Sequence, residues 1–471
     1  MSYARHPIST GRTRMDPSLM SAATSNSALT GRTDTAAEPA ASGASGRFLS
    51  LPYLFLRATT AGGGLVGGLV QTFVFARILD PERFSIFILV GTLGIALWLS
   101  DIGLVKIIFV RMRAWLLGGA QPGASVVWHA TAIVILYFLL GIVSTILCFI
   151  GALAFGAGVY GGLELALFFL FTAITLVWFA LRNISLAVDD FIFFESMEAT
   201  RRILHVGLML ATLPLIGLPL MAFLIIANLV WVVLFVVMIA RLSRKGALQA
   251  TVAGFPGHLR SFFRDNRREV VQGGTYAVNE FYLYNFSYAI VPVAYGLGAP
   301  TIILDTLFKV MRGATVLYSA ASDVALPRQT RAHNEGDRRT LILSTWMAAG
   351  LASLPAIVIG IALVFFSEPM FRLLLGNSAV MPKPIVDLMI VLLAANLIQT
   401  VSNFLLIHTG YFKVIARVSV LVSLAATLVA GIAIAVGADL TGFIRAFTAI
   451  YVASSLCYLT LALRGPLAKK S

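Results

Sequence analysis

The sequence predicts an all-α integral membrane protein of about 12 transmembrane helices in two pseudo-symmetric six-helix halves. Three observations carry that expectation: a succession of long apolar runs, a lopsided placement of basic residues, and motifs that recur at matching points of the two halves. Of 471 residues, 59% are hydrophobic and only 12% are charged, with mean hydropathy +0.90. An ordinary soluble domain carries about 25% charged residues, so the solvent implied for this chain is lipid.

A helix needs about 20 apolar residues to cross the hydrocarbon. Runs of that kind lie at roughly 51–78, 84–106, 124–156, 162–187, 198–217 and 219–241, then 271–295, 301–326, 340–366, 384–407, 412–436 and 441–463. Residues 1–48 are rich in Ser, Thr, Ala, Gly and Arg with few large apolar side chains, and read as a disordered cytoplasmic tail. The expected organisation is therefore the tail 1–48, a first lobe 49–243, a basic linker 244–270, a second lobe 271–465 and a short end 466–471. Within the linker, GFPGHLRSFFRDNRREVV has the pattern of a basic amphipathic surface helix.

Orientation follows from the 35 Lys and Arg. With the N-terminus inside, 27 fall on inner segments, among them Lys106, Arg111 and Arg113 in the second connection and Arg182, Arg201 and Arg202 in the fourth. Outer loops hold Arg83, Arg372 and Lys383, and five bases lie within spans: Arg57, Arg77, Lys309, Arg312 and Arg445. Such asymmetry places both termini in the cytoplasm. It also accounts for the net charge of +14 with anionic lipid headgroups as the counterpart and no nucleic-acid partner. The outer loops are too short for a catalytic domain, the largest being about 367–383 with Glu368, Arg372 and Lys383. Cys148 and Cys457 sit in apolar helices, and no nucleophile elbow, metal-ligand cluster or phosphate-binding loop occurs. GGGLVGG lies inside an apolar span and reads as a packing surface, so the chain is expected to be no enzyme and to need no cofactor.

The second span ends in SDIGLVK and the eighth in SDVALPR. The preceding turns, Leu79-Asp80-Pro81 and Gly298-Ala299-Pro300, are also alike. Parallel repeats of six spans put a substrate near the bilayer midplane where the repeats meet. On ARILDPERFSIFILVGTLGIALWLSDIGLVK and VAYGLGAPTIILDTLFKVMRGATVLYSAASDVALPRQTRAHNEGD, the chain resembles the Wzx-type polysaccharide flippases. These form a branch of the multidrug/oligosaccharidyl-lipid/polysaccharide exporter superfamily. The resemblance implies two six-helix lobes forming a V-shaped central cavity in the bacterial inner membrane. It further implies translocation of an undecaprenyl-pyrophosphate-linked glycan by alternating access, for exopolysaccharide or O-antigen synthesis, alongside polymerase and export machinery. Where many relatives have Gly-Tyr or Gly-Leu after the first turn, this chain has Arg83-Phe84-Ser85-Ile86.

Charges retained inside a membrane usually face a partner or a cavity. Asp305, Lys309 and Arg312 share one face of the eighth span, at i, i+4 and i+7. Two readings are open: an internal salt bridge that fixes packing, or a cationic cavity wall in which Asp305 neutralises one of two bases. Tyr276, Glu280, Tyr284 and Tyr288 follow i, i+4 steps along the seventh span, and suit either sugar rings or helix–helix hydrogen bonding. Arg57, Lys309 and Arg312 are the expected anion ligands and Tyr276, Tyr284 and Tyr288 the expected sugar contacts. Glu280 and Asp305 are candidates for charge pairing or for coupling to a Na+ or H+ gradient. Asp101 and Asp323 are expected to cap helices or to pair with Arg113 or Arg328, and His129, His205 and His408 read as isolated. The alternatives are an ion-coupled drug or metabolite antiporter of the same superfamily and a membrane-embedded glycan polymerase or ligase.

Overall fold

The structure is a computed structural model that describes residues 51–468 apart from 102, 119–124 and 250–253. The 1–48 segment lies outside the described residues. All regular elements among the described residues are helices. The first half contains α1 (Leu51–Ile78), α2 (Pro81–Ala96), α3 (Leu104–Gly118) and α4 (Ser125–Ala154), then α5 (Gly158–Ala173), α6 (Thr175–Ala187), α7 (Phe191–Leu210) and α8 (Leu220–Arg244). The connecting α9 (Phe255–Asp265) leads to α10 (Arg267–Tyr295), α11 (Ala299–Glu335), α12 (Arg338–Leu375), α13 (Lys383–His408), α14 (Phe412–Ala435) and α15 (Leu440–Arg464).

Seven spans among the described residues are long and apolar enough to cross a membrane, with α5 and α6 acting as one, Gly158–Ala187. The apolar faces that remain uncovered show which side meets lipid. On α4, Leu139, Ile142, Val143, Ile146, Leu147 and Ile150 are exposed, and on α12 Leu354, Ile357, Val358, Ile361 and Phe365. A soluble monomer rarely exposes contiguous apolar patches of that size.

Helix bounds differ from the hydropathy runs where a helix outlasts its apolar stretch. α12 continues through Glu368, Pro369 and Arg372 to Leu375, so the expected outer loop 367–383 shrinks to 376–382. α11 likewise runs past 326 to Glu335 and ends at Gly336 in the left-handed region, φ 72°. The repeated motif is built differently in the two halves. After α2 the chain tightens into a 3-10 turn, Leu97–Asp101, and breaks at Gly103 with φ 83°. Ala325 stands at the matching place in α11, buried in unbroken helix. A Cβ disfavours the left-handed backbone, so the glycine half breaks and the alanine half continues.

Asp101 therefore caps α3 and accepts a 3.0 Å bond from the Val105 amide and a 2.6 Å bond from the Tyr137 hydroxyl. Its expected partner Arg113 instead meets Asp189 at 2.6 Å. Asp190, in the turn between α6 and α7, is bound by Arg241 at 2.7 and 2.9 Å and by Lys245 at 2.8 Å. Burial alone would push its carboxyl up, but those two cations outweigh it and hold the group below the usual carboxylate range. In α9, Phe262 is buried while Arg260 and Arg264 stay exposed. The helix docks on the start of α4, where His258 stacks on Trp128 and His129 lies 2.9 Å from the Ser261 hydroxyl. His129 is thus partnered, and so is His205, which stacks on Phe171.

The halves meet along α1 and α2, which pack on α11, and α1 also packs on α12. The two repeated turns touch each other. The Gly298 amide donates to the Ser85 hydroxyl at 2.8 Å, and that hydroxyl lies 3.0 Å from the Gly298 carbonyl. Arg77 donates to the Leu373 carbonyl at 2.6 Å and Ser378 to the Ala76 carbonyl at 2.8 Å. One apolar core runs behind this seam, joining Phe75, Phe84 and Phe87 of the first half to Leu307, Phe308 and Met311 of the second.

Candidate functional site

Pro300 is the second residue of α11, and its missing amide costs nothing in a first turn. Its regular helix then brings Asp305, Lys309 and Arg312 to one face, as their spacing requires. Lys309 Nζ lies 2.6 Å from Asp305 Oδ2, and Arg312 Nη2 lies 3.7 Å from Oδ1. Tyr288 of α10 completes the group: its hydroxyl donates to Asp305 Oδ1 at 2.9 Å and accepts from Arg312 Nη2 at 2.5 Å. Lys309 also donates to Thr72 Oγ1 of α1 at 2.8 Å, which carries the cluster across the junction between the halves. Close approach of the helices is possible because residue 313 is glycine, where a Cβ would collide with Leu65.

One carboxylate serves two cations, so the cluster is net positive. Side-chain exposure separates their roles: Asp305 is 5% exposed, Lys309 17% and Arg312 33%. The counter-ion is enclosed, while both bases keep contact with open space. A face of this kind can hold an anion without a bound metal. No group of three or more His, Cys, Asp or Glu capable of holding a metal ion occurs among the described residues.

Of the expected site residues, the structure brings together Tyr288, Asp305, Lys309 and Arg312. Arg57 lies on α1, and Tyr276, Glu280 and Tyr284 on α10. The side chains of these four lie outside the described residues. Thr72 and Asn396 belong to the same region and were not expected from the sequence. Asn396 of α13 donates to the Met311 carbonyl at 3.1 Å and to Thr315 at 2.8 Å, and accepts from Tyr451 at 3.1 Å. The only signal for either was a polar letter within an apolar run.

A second charged group corrects the expectation that Arg182, Arg201 and Arg202 belong to an inner connection. The turn between α6 and α7 spans 188–190, and Arg201 and Arg202 lie well inside α7. Hydropathy placed the start of this span where polarity ended, whereas the helix begins seven residues earlier than 198, at Phe191. Glu198 accepts two 2.6 Å bonds from Arg201, one of 2.7 Å from Arg202 Nε and one of 2.8 Å from Trp178 Nε1. Arg201 also lies over the Trp231 ring, 4.6 Å from its centroid. Arg182 pairs with Glu195 at 3.5 Å.

The arrangement is similar to known transporters. An inward-facing multidrug resistance MATE family transporter of the MOP superfamily aligns at 14% identity, covering 89% of this chain and 96% of that one, with a TM-score of 0.60. The eukaryotic MATE transporter AtDTX14 aligns at 13% identity over 88% and 94% of the two chains, TM-score 0.62. A MOP superfamily transporter from Pyrococcus furiosus, described as having a binding pocket of reverse polarity that suggests a different function, aligns at 13% identity over 87% and 95%, TM-score 0.59. No family model and no curated protein matches the chain. At such identities the fold is what is shared: a multi-pass, two-lobed helical membrane protein with the architecture of MATE transporters of the MOP superfamily.

Proposed function

We propose that this chain is a flippase that moves an undecaprenyl-pyrophosphate-linked oligosaccharide across the bacterial inner membrane by alternating access. The observation that carries the reading is the net-positive Asp305–Lys309–Arg312 group with Tyr288, held where the two halves meet. The physical task is to pass a polar, doubly charged headgroup through about 30 Å of hydrocarbon while its polyprenyl chain stays in lipid. Guanidinium and ammonium groups replace the water around phosphate oxygens. The aromatic edge of Tyr288 and the tyrosines of α10 suit sugar rings. Rocking of one half against the other then moves the group from one face to the other. Asp305, already shared between two bases, is the candidate to carry a coupling proton or Na+.

An ion-coupled drug antiporter of the same fold is the second reading. Organic cations call for uncompensated acids, whereas at this junction bases outnumber the acid. In cells that make a lipid-linked polysaccharide with this protein, the double variant Lys309→Gln, Arg312→Gln should stop export and leave repeat units on the inner leaflet, at unchanged membrane abundance. Normal export by that variant refutes the site. Expulsion of cationic dyes that Asp305→Asn abolishes would favour the antiporter.

A further inference from the structure

Arg202 is a guanidinium in the middle of α7 to which that reading gives no role. It lies 12 residues beyond Asp190, about 18 Å along the helix from the turn at 188–190 at 1.5 Å per residue. A base retained within a span marks a functional position by default. Glu198 accepts four hydrogen bonds and has no capacity left. Arg201 uses its Nε and Nη2 on that carboxylate, whereas Arg202 gives only Nε. Among the described residues, no hydrogen bond engages the terminal nitrogens of Arg202. They lie instead on α1: a Cβ placed on Gly64 would stand 2.7 Å from Arg202 Nη1, and one on Gly63 would stand 3.3 Å from its Cβ. The lipid-exposed stripe of α7, Thr200, Ile203, Leu204 and Gly207, is on the opposite side of the helix. The 32% exposure of the Arg202 side chain is therefore toward an interior gap.

The gap has a direction. Gly64, Gly68 and Thr72 stand at i, i+4 and i+8 on α1, one above another. Arg202 rests at Gly64, Lys309 is bonded to Thr72, and a Cβ on Gly68 would meet nothing within 4 Å. Two cationic groups, each short of one counter-charge, thus flank an open strip about 12 Å long by helix rise.

We propose that this strip is one binding groove for a headgroup with two separated anionic parts, that is, an acidic lipid-linked oligosaccharide. Its diphosphate lies at Lys309 and Arg312, its sugars cross the bare backbone at Gly68, and a sugar carboxylate takes the free edge of Arg202. The inference rests on the flippase reading and adds a substrate class to it. A guanidinium edge matches a carboxylate bidentately, which a lone ammonium does not.

The test uses the purified full chain in detergent and two soluble probes, geranyl-diphosphate-linked disaccharides ending in glucuronate or in glucose. The wild type should bind the glucuronate probe at least tenfold more tightly. Arg202→Gln should erase that preference and leave the glucose probe unaffected, whereas Lys309→Gln should weaken both. Gly68→Leu, whose side chain enters empty space, should weaken both by tenfold or more with an unchanged unfolding temperature. Equal binding of the two probes by the wild type, a preference that survives Arg202→Gln, or unaltered binding by Gly68→Leu overturns the groove. If in those cases Lys309→Gln still weakens both probes, the flippase reading stands without it. If Lys309→Gln changes neither probe, both fall.

Discussion

At the level of single residues, Asp305 is the keystone of the junction. It is nearly fully enclosed and is the counter-ion for both Lys309 and Arg312. Removing one member of a buried ionic group leaves uncompensated charge and costs about 3–5 kcal/mol. Asp305→Asn should therefore destabilise the fold by roughly that amount, measured by unfolding in detergent, and more than Lys309→Gln, which leaves Asp305 with Arg312 and Tyr288. An Asp305→Asn protein as stable as the wild type would contradict this account of the cluster. Three of these residues were legible in the sequence because helix periodicity alone puts Asp305, Lys309 and Arg312 on one face. Thr72 was not, since a hydroxyl in an apolar helix ordinarily bonds its own backbone, as Thr72 also does to the Gly68 carbonyl at 3.1 Å. The sequence places Arg202 in a connection because a cluster of charges ordinarily marks the end of a span. In α7 both guanidinium groups bond to Glu198 within the helix, and Trp178 and Trp231 pack beside them, so the helix continues through the charges.

At the level of elements, small residues decide which helices meet closely and which break. Gly313 lets α11 approach α1 at Leu65, the same contact that allows Lys309 to reach Thr72. Gly313→Leu should overpack this seam and cost about 1–3 kcal/mol. Unfolding measurements check the loss, and a variant of unchanged stability would mean that α1 and α11 separate freely. The six-plus-six pattern was readable from hydropathy because the lipid-facing helices, such as α4 and α12, are apolar on most sides. α10 and α11 are the polar spans, and they carry the site. The same polarity obscured their ends: α11 continues past its apolar stretch as a helix that reaches Glu335. The break after α2 was equally hidden, because SDIGLVK and SDVALPR look alike until Gly103 adopts a backbone that Ala325 avoids.

At the level of the whole molecule, the hydrogen bonds between the halves among the described residues run from Thr72 to Ser85 on the first half, and three of the pairs lie beside the turn between α1 and α2. Alternating access requires that seam to open. Joining Ala76→Cys to Ser378→Cys with a short bifunctional thiol reagent should halt export, with recovery when a cleavable reagent is cut. Undiminished export in the joined protein would show that this seam is static. The flippase proposal carries one further consequence for the assembled protein: movement of a diphosphate headgroup across a bilayer without other subunits. Transbilayer movement of a fluorescent polyprenyl-diphosphate saccharide in proteoliposomes measures this directly. The account predicts fast movement with the wild type and the protein-free rate with Lys309→Gln, Arg312→Gln. Equal rates for the wild type and that variant would contradict it.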